Sequence, residues 1–149
     1  MAEVRHAQVT WAGDLLTGGG TIDYVSSGVF SRMPVSWAAR TGPHNGKTSP
    51  EELLAAAHGS CFSMAFSARL AKNGTPPTRL KVKAEISFDN ASGAWKLTRS
   101  LITVVGDVPG IELERFREIA EDAKENCPIS GALKGNVELV VDASLEAQD

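Results

Sequence analysis

Cysteine is scarce in this chain. There are two, Cys61 and Cys127, far apart, and neither belongs to a CxxC pair. No HExxH run is present either, so the compact signatures of zinc and dithiol sites are missing. Basic residues are not in excess: 15 Lys and Arg stand against 18 Asp and Glu, for a net charge of −3. That balance argues against wrapping nucleic acid. No basic amphipathic segment marks a membrane surface. The opening residues Met1 to His6 lack the charged, apolar and small-residue sequence of a secretory leader, so a cytoplasmic location is expected. In a reducing compartment a lone pair of cysteines serves catalysis, metal binding or redox sensing more often than structure. Internal repeats, low-complexity tracts and linkers are also missing, and 149 residues suit a single domain spanning 1–149.

What is present reads as strands first. Ala7, Val9 and Trp11 alternate with polar neighbours. Gly18-Gly19-Gly20 turns the chain, and Thr21–Val25 and Val29–Trp37 read as further strands around Ser26-Ser27-Gly28. The strand is expected to continue over Val35–Ala39, with Arg40 at its end. Residues 41–49 form a loop of turn residues.

A helix start follows. Ser49 suits the N-cap, Pro50 the first helical position, and Glu52 stands three residues after the cap. The segment from Leu53 to Leu70 is apolar on almost every side, which predicts burial all round. It is no membrane span, because His58, Ser60, Ser63, Ser67 and Arg69 interrupt it. One small sheet covers only one face of such a helix, so a second copy of the chain is expected to cover the rest. Alternation then marks Leu80–Phe88 as a strand and Trp95–Val105 as its hairpin partner. A second helix follows Pro109-Gly110, breaks at Asn126-Cys127-Pro128, and leads through a short turn at Pro128–Leu133 to a last strand at Val137–Leu145. The order is that of an α+β fold.

Each residue with chemistry has a plain alternative. Cys61, mid-helix, is either a core cysteine or a nucleophile, and an apolar site keeps a thiol inert unless a cation offsets the burial. Arg40 is the best placed cation in the sequence, or a solvated strand-end charge. Glu51, in the first helical turn, either complements the helix dipole or holds an arginine through a bidentate pair. It is free for that pair if Ser49 caps the helix, and is itself the capping partner if Thr48 does. Cys127 precedes Pro128 and is expected at or near the surface. If Pro128 opens a helical turn, Cys127 is its N-cap; otherwise it is a plain helix-ending residue. His58, one turn before Cys61, reads as a satisfied buried histidine ahead of a metal ligand or a Cys–His pair. Met64 reads as core, or as lining an apolar pocket.

Three stretches carry a resemblance. Thr48-Ser49-Pro50-Glu51-Glu52-Leu53-Leu54-Ala55-Ala56-Ala57-His58, continuing to Ala65, is one; Ala123 to Ser130, around Asn126-Cys127-Pro128, is the second; Ala7 to Gly13 with the Gly18-Gly19-Gly20 turn is the third. Together they resemble the OsmC/Ohr family of osmotically inducible and organic hydroperoxide resistance proteins, with Ala38-Ala39-Arg40-Thr41 looking like the OsmC branch. The resemblance implies antiparallel sheets wrapped around two central buried helices in an intertwined homodimer. It implies a thiol peroxidase that reduces organic hydroperoxides, with Cys61 peroxidatic, Cys127 resolving, and Arg40 and Glu51 completing the site. An external dithiol would regenerate the thiols. No cofactor is expected; zinc held by Cys61, Cys127 and His58 is the lesser option. A non-catalytic redox-sensing or apolar-ligand-binding stress protein is the rival reading.

Overall fold

The computed structural model describes residues 1–147, and Gln148 and Asp149 lie outside the described residues. The chain divides into two compact units, Met1–Leu53 and Leu54–Asp149. The boundary falls inside one long helix.

The first unit is built on a meander. Strands β1 (Ala7–Ala12), β2 (Gly19–Val25) and β3 (Ser31–Val35) pair antiparallel in sequence order. The glycine turn exists for a steric reason. A Cβ on Gly20 would stand 2.7 Å from the Trp11 ring, its cross-strand partner, so only glycine lets the indole lie across β2.

Beyond β3 the expected strand gives way to helix. Residues Trp37–Thr41 form α1, so Arg40 lies on a helix and does not end a strand over Val35–Ala39. The cause is Ser36. Its extended backbone lets its hydroxyl accept from the Ala39 amide at 3.2 Å, an N-cap that starts a helix in Trp-Ala-Ala-Arg before β3 can extend. The following loop returns to pair Thr48 with Val35, and the Thr48 amide donates to the Pro34 carbonyl at 3.1 Å.

Helix α2 (Pro50–Lys72) starts as expected: the Glu52 amide donates to the Ser49 hydroxyl at 3.1 Å. It ends in a Schellman motif. Thr75 donates to the Leu70 carbonyl and Gly74 to that of Ala71, with Gly74 at φ 83° where L-residues are strained.

In the second unit, β4 (Arg79–Asp89) and β5 (Lys96–Asp107) form a long antiparallel hairpin. Helices α3 (Leu113–Asn126) and α4 (Pro128–Leu133) cross over the sheet and deliver β6 (Glu138–Leu145) parallel to β5. The α+β class is as expected; β6 alone departs from the antiparallel pattern.

The core lies between this sheet and the helices. Phe62, Phe66 and Leu70 of α2 pack with Ile102 and Val104 of β5, Ala143 of β6, and Phe116, Ala120 and Ala123 of α3. Phe66 stacks obliquely on Phe62 and Phe116 at 5.3 and 4.9 Å between centroids. Gly106 makes room for this cluster, since a Cβ there would stand 2.6 Å from the Phe116 ring.

Within the single chain, α2 is buried on one side. His58, Phe62, Phe66 and Leu70 face the core, while Ala56, Ser60, Met64 and Ala68 are exposed, Met64 by 70%. Met64 is therefore not core in this chain and instead lines a surface cavity with Ser67, Ala68, Pro77 and Leu80. The two faces follow from an i, i+4 repeat of large side chains on one side and, Met64 apart, small ones on the other.

Candidate active site

In the first unit, Arg40 and Glu51 form a forked ion pair. Arg40 Nε donates to both carboxylate oxygens at 2.9 and 3.1 Å, and a terminal nitrogen donates to Oε1 at 2.7 Å. The Glu51 side chain is 11% exposed and that of Arg40 30%. The Arg40 guanidinium also lies 5.9 Å from the Trp37 ring centroid. The alternatives at the helix start resolve in favour of Ser49 as cap. Glu52 then turns to the Thr48 hydroxyl, which donates to it at 2.9 Å, and Glu51 is left to hold Arg40. A planar guanidinium held on one edge by a carboxylate keeps a fixed orientation.

In the second unit the two cysteines meet. Their sulfurs are 3.0 Å apart, both thiols are free, and the two residues come from α2 and from the joint between α3 and α4. Cys127 closes α3, its amide donating to the Ala123 carbonyl, and is also the N-cap of α4, with Pro128 in the first turn.

The expected exposure is reversed. Cys127 is 1% exposed, whereas Cys61 is only half-buried. Cys127 sits at the joint of α3 and α4, where its sulfur meets that of Cys61 on α2 and Ser130 of α4 hydrogen-bonds His58 of α2. Cys61, on the edge of the buried stripe of α2, keeps a path to solvent.

The environment within this unit divides the pair unevenly. Burial pushes the Cys61 thiol up, its hydrogen bond to Cys127 adds to the rise, and the Ile129 amide opposes them. Burial acts on Cys127 in the same direction, but hydrogen bonds from Cys61, from the amide and hydroxyl of Ser130 and from the Ile129 amide bring it below the ordinary thiol range. The two thiols are in hydrogen-bond contact and titrate as a pair. A cation is needed to move the negative charge onto Cys61.

His58 is fully buried, and both ring nitrogens are engaged: Nδ1 with the Ser100 hydroxyl at 2.7 Å and Nε2 with the Ser130 hydroxyl at 2.8 Å. Burial holds its pKa below the ordinary imidazole value. The reading of a satisfied buried histidine is correct. The two serines were not singled out in the sequence. Ser100 could have been, as the one polar residue on a strand face that otherwise buries Ile102, Val104 and Gly106. Ser130 could have been, standing three residues after the N-cap, where a side chain reaches back toward it. Among the described residues no group of three or more His, Cys, Asp or Glu is placed to hold a metal ion, and no helix is long and apolar enough to cross a membrane.

The sequence profile of the OsmC family, described as OsmC-like protein, matches residues 42–142. This chain belongs to the OsmC family. Among OsmC-family relatives, the peroxiredoxin OsmC of Escherichia coli K12 is 36% identical over 135 residues, covering 91% of this chain and 93% of that protein. The organic hydroperoxide resistance protein of Xanthomonas axonopodis pv. citri is 30% identical over 129 residues, covering 84% and 87%. The OsmC-like fold is confirmed independently. A crystal structure of an organic hydroperoxide resistance protein from Elizabethkingia anophelis superposes with a TM-score of 0.73 at 22% identity, over 98% of this chain and 100% of the other.

Proposed function

We propose that this OsmC-family protein is a thiol peroxidase of peroxide stress defence that reduces organic hydroperoxides through Cys61 and Cys127. The observation that carries the reading is the 3.0 Å approach of two free thiols, one half-buried and one enclosed. A partly exposed sulfur with a second thiol within reach is the arrangement that suits a peroxidatic and a resolving cysteine. The names of the relatives, peroxiredoxin and organic hydroperoxide resistance protein, point to the same chemistry.

In this reading Arg40, oriented by Glu51, supplies the cation that draws the charge onto Cys61 and binds the peroxide. The Cys61 thiolate attacks the distal peroxide oxygen. The O–O bond breaks, the alkoxide leaves and takes a proton as alcohol, and Cys61 becomes a sulfenic acid. The Cys127 thiolate then attacks the Cys61 sulfur. An S–S bond forms, the S–O bond breaks, and hydroxide leaves as water. An external dithiol reduces the disulfide by exchange. The family resemblance further supports a homodimer, in which the exposed Ala56–Ala68 face of α2 is covered by a second copy.

Consumption of cumene hydroperoxide with a small dithiol, beside Cys61→Ser and Cys127→Ser variants, tests the proposal. Many turnovers by wild type, none by Cys61→Ser, and inactivation of Cys127→Ser are expected. Consumption of no more than one equivalent per chain would overturn it and favour a redox sensor.

A further inference from the structure

His58 is buried yet has no part in the peroxide chemistry proposed above. Its ring bridges two elements. Nδ1 lies 2.7 Å from the hydroxyl of Ser100 on β5, and Nε2 lies 2.8 Å from that of Ser130 on α4. A neutral imidazole serves both with one donor and one acceptor. All three side chains are fully enclosed. Water cannot replace either bond there, and breaking one leaves a buried polar atom unpaired.

The bond to Ser130 stands in a regular relation to the thiol contact. Cys61 follows His58 by three residues on α2, and Cys127 precedes Ser130 by three at the start of α4. His58 meets Ser130, and Cys61 meets Cys127. Two side-chain rungs, one helical turn apart, therefore join the segments in reverse chain order. The helix itself keeps the spacing on the α4 side. The Gly131 amide donates to the Cys127 carbonyl at 3.0 Å and closes the turn that contains Ser130.

The thiol rung is made and broken by oxidation and reduction, whereas the histidine rung persists. Another tie at this end of the chain is weaker. Lys134, just past α4, pairs with Glu125 at 2.7 Å, but both are exposed, and such a pair contributes at most about 1 kcal/mol. It also leads to α3 and not to α2. A slip of α4 by one turn, about 5.4 Å, would part the two sulfurs. We propose that His58, anchored by Ser100 and bonded to Ser130, is a positioning residue that fixes the register between α2 and α4 and so holds Cys127 within bonding reach of Cys61. The inference rests on the peroxidase reading for its part in turnover, though not for its effect on the disulfide.

The experiment equilibrates the full chain in mixtures of reduced and oxidised dithiothreitol. The fraction of Cys61–Cys127 disulfide is read by mass after alkylation of free thiols, and no peroxide is needed. In forming it, the two thiols give two protons and two electrons to the oxidised dithiothreitol, whose ring opens to the dithiol. Ser130→Ala is expected to lower the disulfide-forming constant about tenfold, or about 30 mV, the equivalent of one lost hydrogen bond. Two changes at His58 separate its ring nitrogens. A glutamine nitrogen stands as many bonds from the Cα as Nε2, and an asparagine nitrogen as many as Nδ1. His58→Gln therefore keeps a partner for Ser130 and most of the constant, whereas His58→Asn reaches only Ser100 and falls as far as Ser130→Ala. A merely structural histidine would lower the urea stability of the dithiol and disulfide forms alike and leave the constant unmoved. Should Ser130→Ala not fold, the two His58 variants decide alone. In turnover, Ser130→Ala slows the sulfenic-to-disulfide step about tenfold. An unmoved or raised constant in Ser130→Ala, or equal constants in His58→Gln and His58→Asn, overturns the inference even where peroxide turnover is normal. The expected constants without any turnover by wild type uphold it and overturn the peroxidase reading instead.

Discussion

The Cys127 sulfur lies 3.0 Å from that of Cys61 although 66 residues separate them in the chain. At that distance bond formation requires no rearrangement of α4. One equivalent of cumene hydroperoxide is therefore expected to convert the protein to an intramolecular disulfide, seen as a single crosslinked peptide containing Cys61 and Cys127 and as loss of both free thiols. A disulfide linking two chains on a non-reducing gel would contradict the pairing.

The Arg40–Glu51 fork makes a second prediction. Glu51→Gln keeps shape and removes the charge that orients the guanidinium. Losing a charge-assisted bond of ~1.5–3 kcal/mol corresponds to a 10- to 100-fold fall in kcat/KM for hydroperoxide. Arg40→Lys should fall at least as far, since an ammonium cannot make the fork. Activity within about twofold of wild type in both variants would remove Arg40 from the proposed mechanism.

How much of this was legible in the sequence depends on the range of the interaction. The start of α2 was, because Ser49, Pro50 and Glu52 act within one turn. The β4–β5 hairpin was, because alternation is local. Helix α1 was missed: Trp37-Ala38-Ala39 continues the apolar run of β3, and only the Ser36 cap decides between strand and helix. A residue before proline reads as a surface turn, whereas Cys127 is enclosed at the α3–α4 joint, which side-chain contacts with Cys61 and His58 tie to α2 across 66 and 72 residues, and no local pattern encodes those contacts. The His58–Ser100 and His58–Ser130 bonds span 42 and 72 residues, so the chain could show a buried histidine but not its partners.

Burial of His58 makes the fold acid-sensitive. As pH falls through about 6.5 the unfolded chain binds a proton that the folded, buried imidazole refuses. Stability present at neutral pH is lost below that point, by up to ~1.4 kcal/mol per pH unit, until the depressed folded pKa is reached. Urea unfolding of wild type between pH 7 and pH 5 should show this decline, and His58→Gln should flatten it. Equal slopes in the two proteins would place the acid sensitivity elsewhere.

The exposed stripe of α2 carries the remaining prediction. Met64 presents an apolar side chain on a face otherwise made of alanine and serine. If a second copy covers that face, Met64→Glu buries a charge and shifts the protein toward monomer in light scattering. An unchanged mass would leave the stripe outside the subunit contact.

The crossover that makes β6 parallel to β5 also has a kinetic side. Cys127 rides on that crossover, so its meeting with Cys61 is a contact of high sequence separation, of the kind that forms slowly. A nascent or unfolded chain keeps its thiols apart across a long loop, and oxidation before folding is slow. Once folded and oxidised, the same loop is closed covalently, which favours the folded chain by about 4 kcal/mol in the loop-entropy account. Each round of oxidation and reduction would then alternate a stiffer protein with a softer one, and a melting curve would report the redox state without any assay of peroxide.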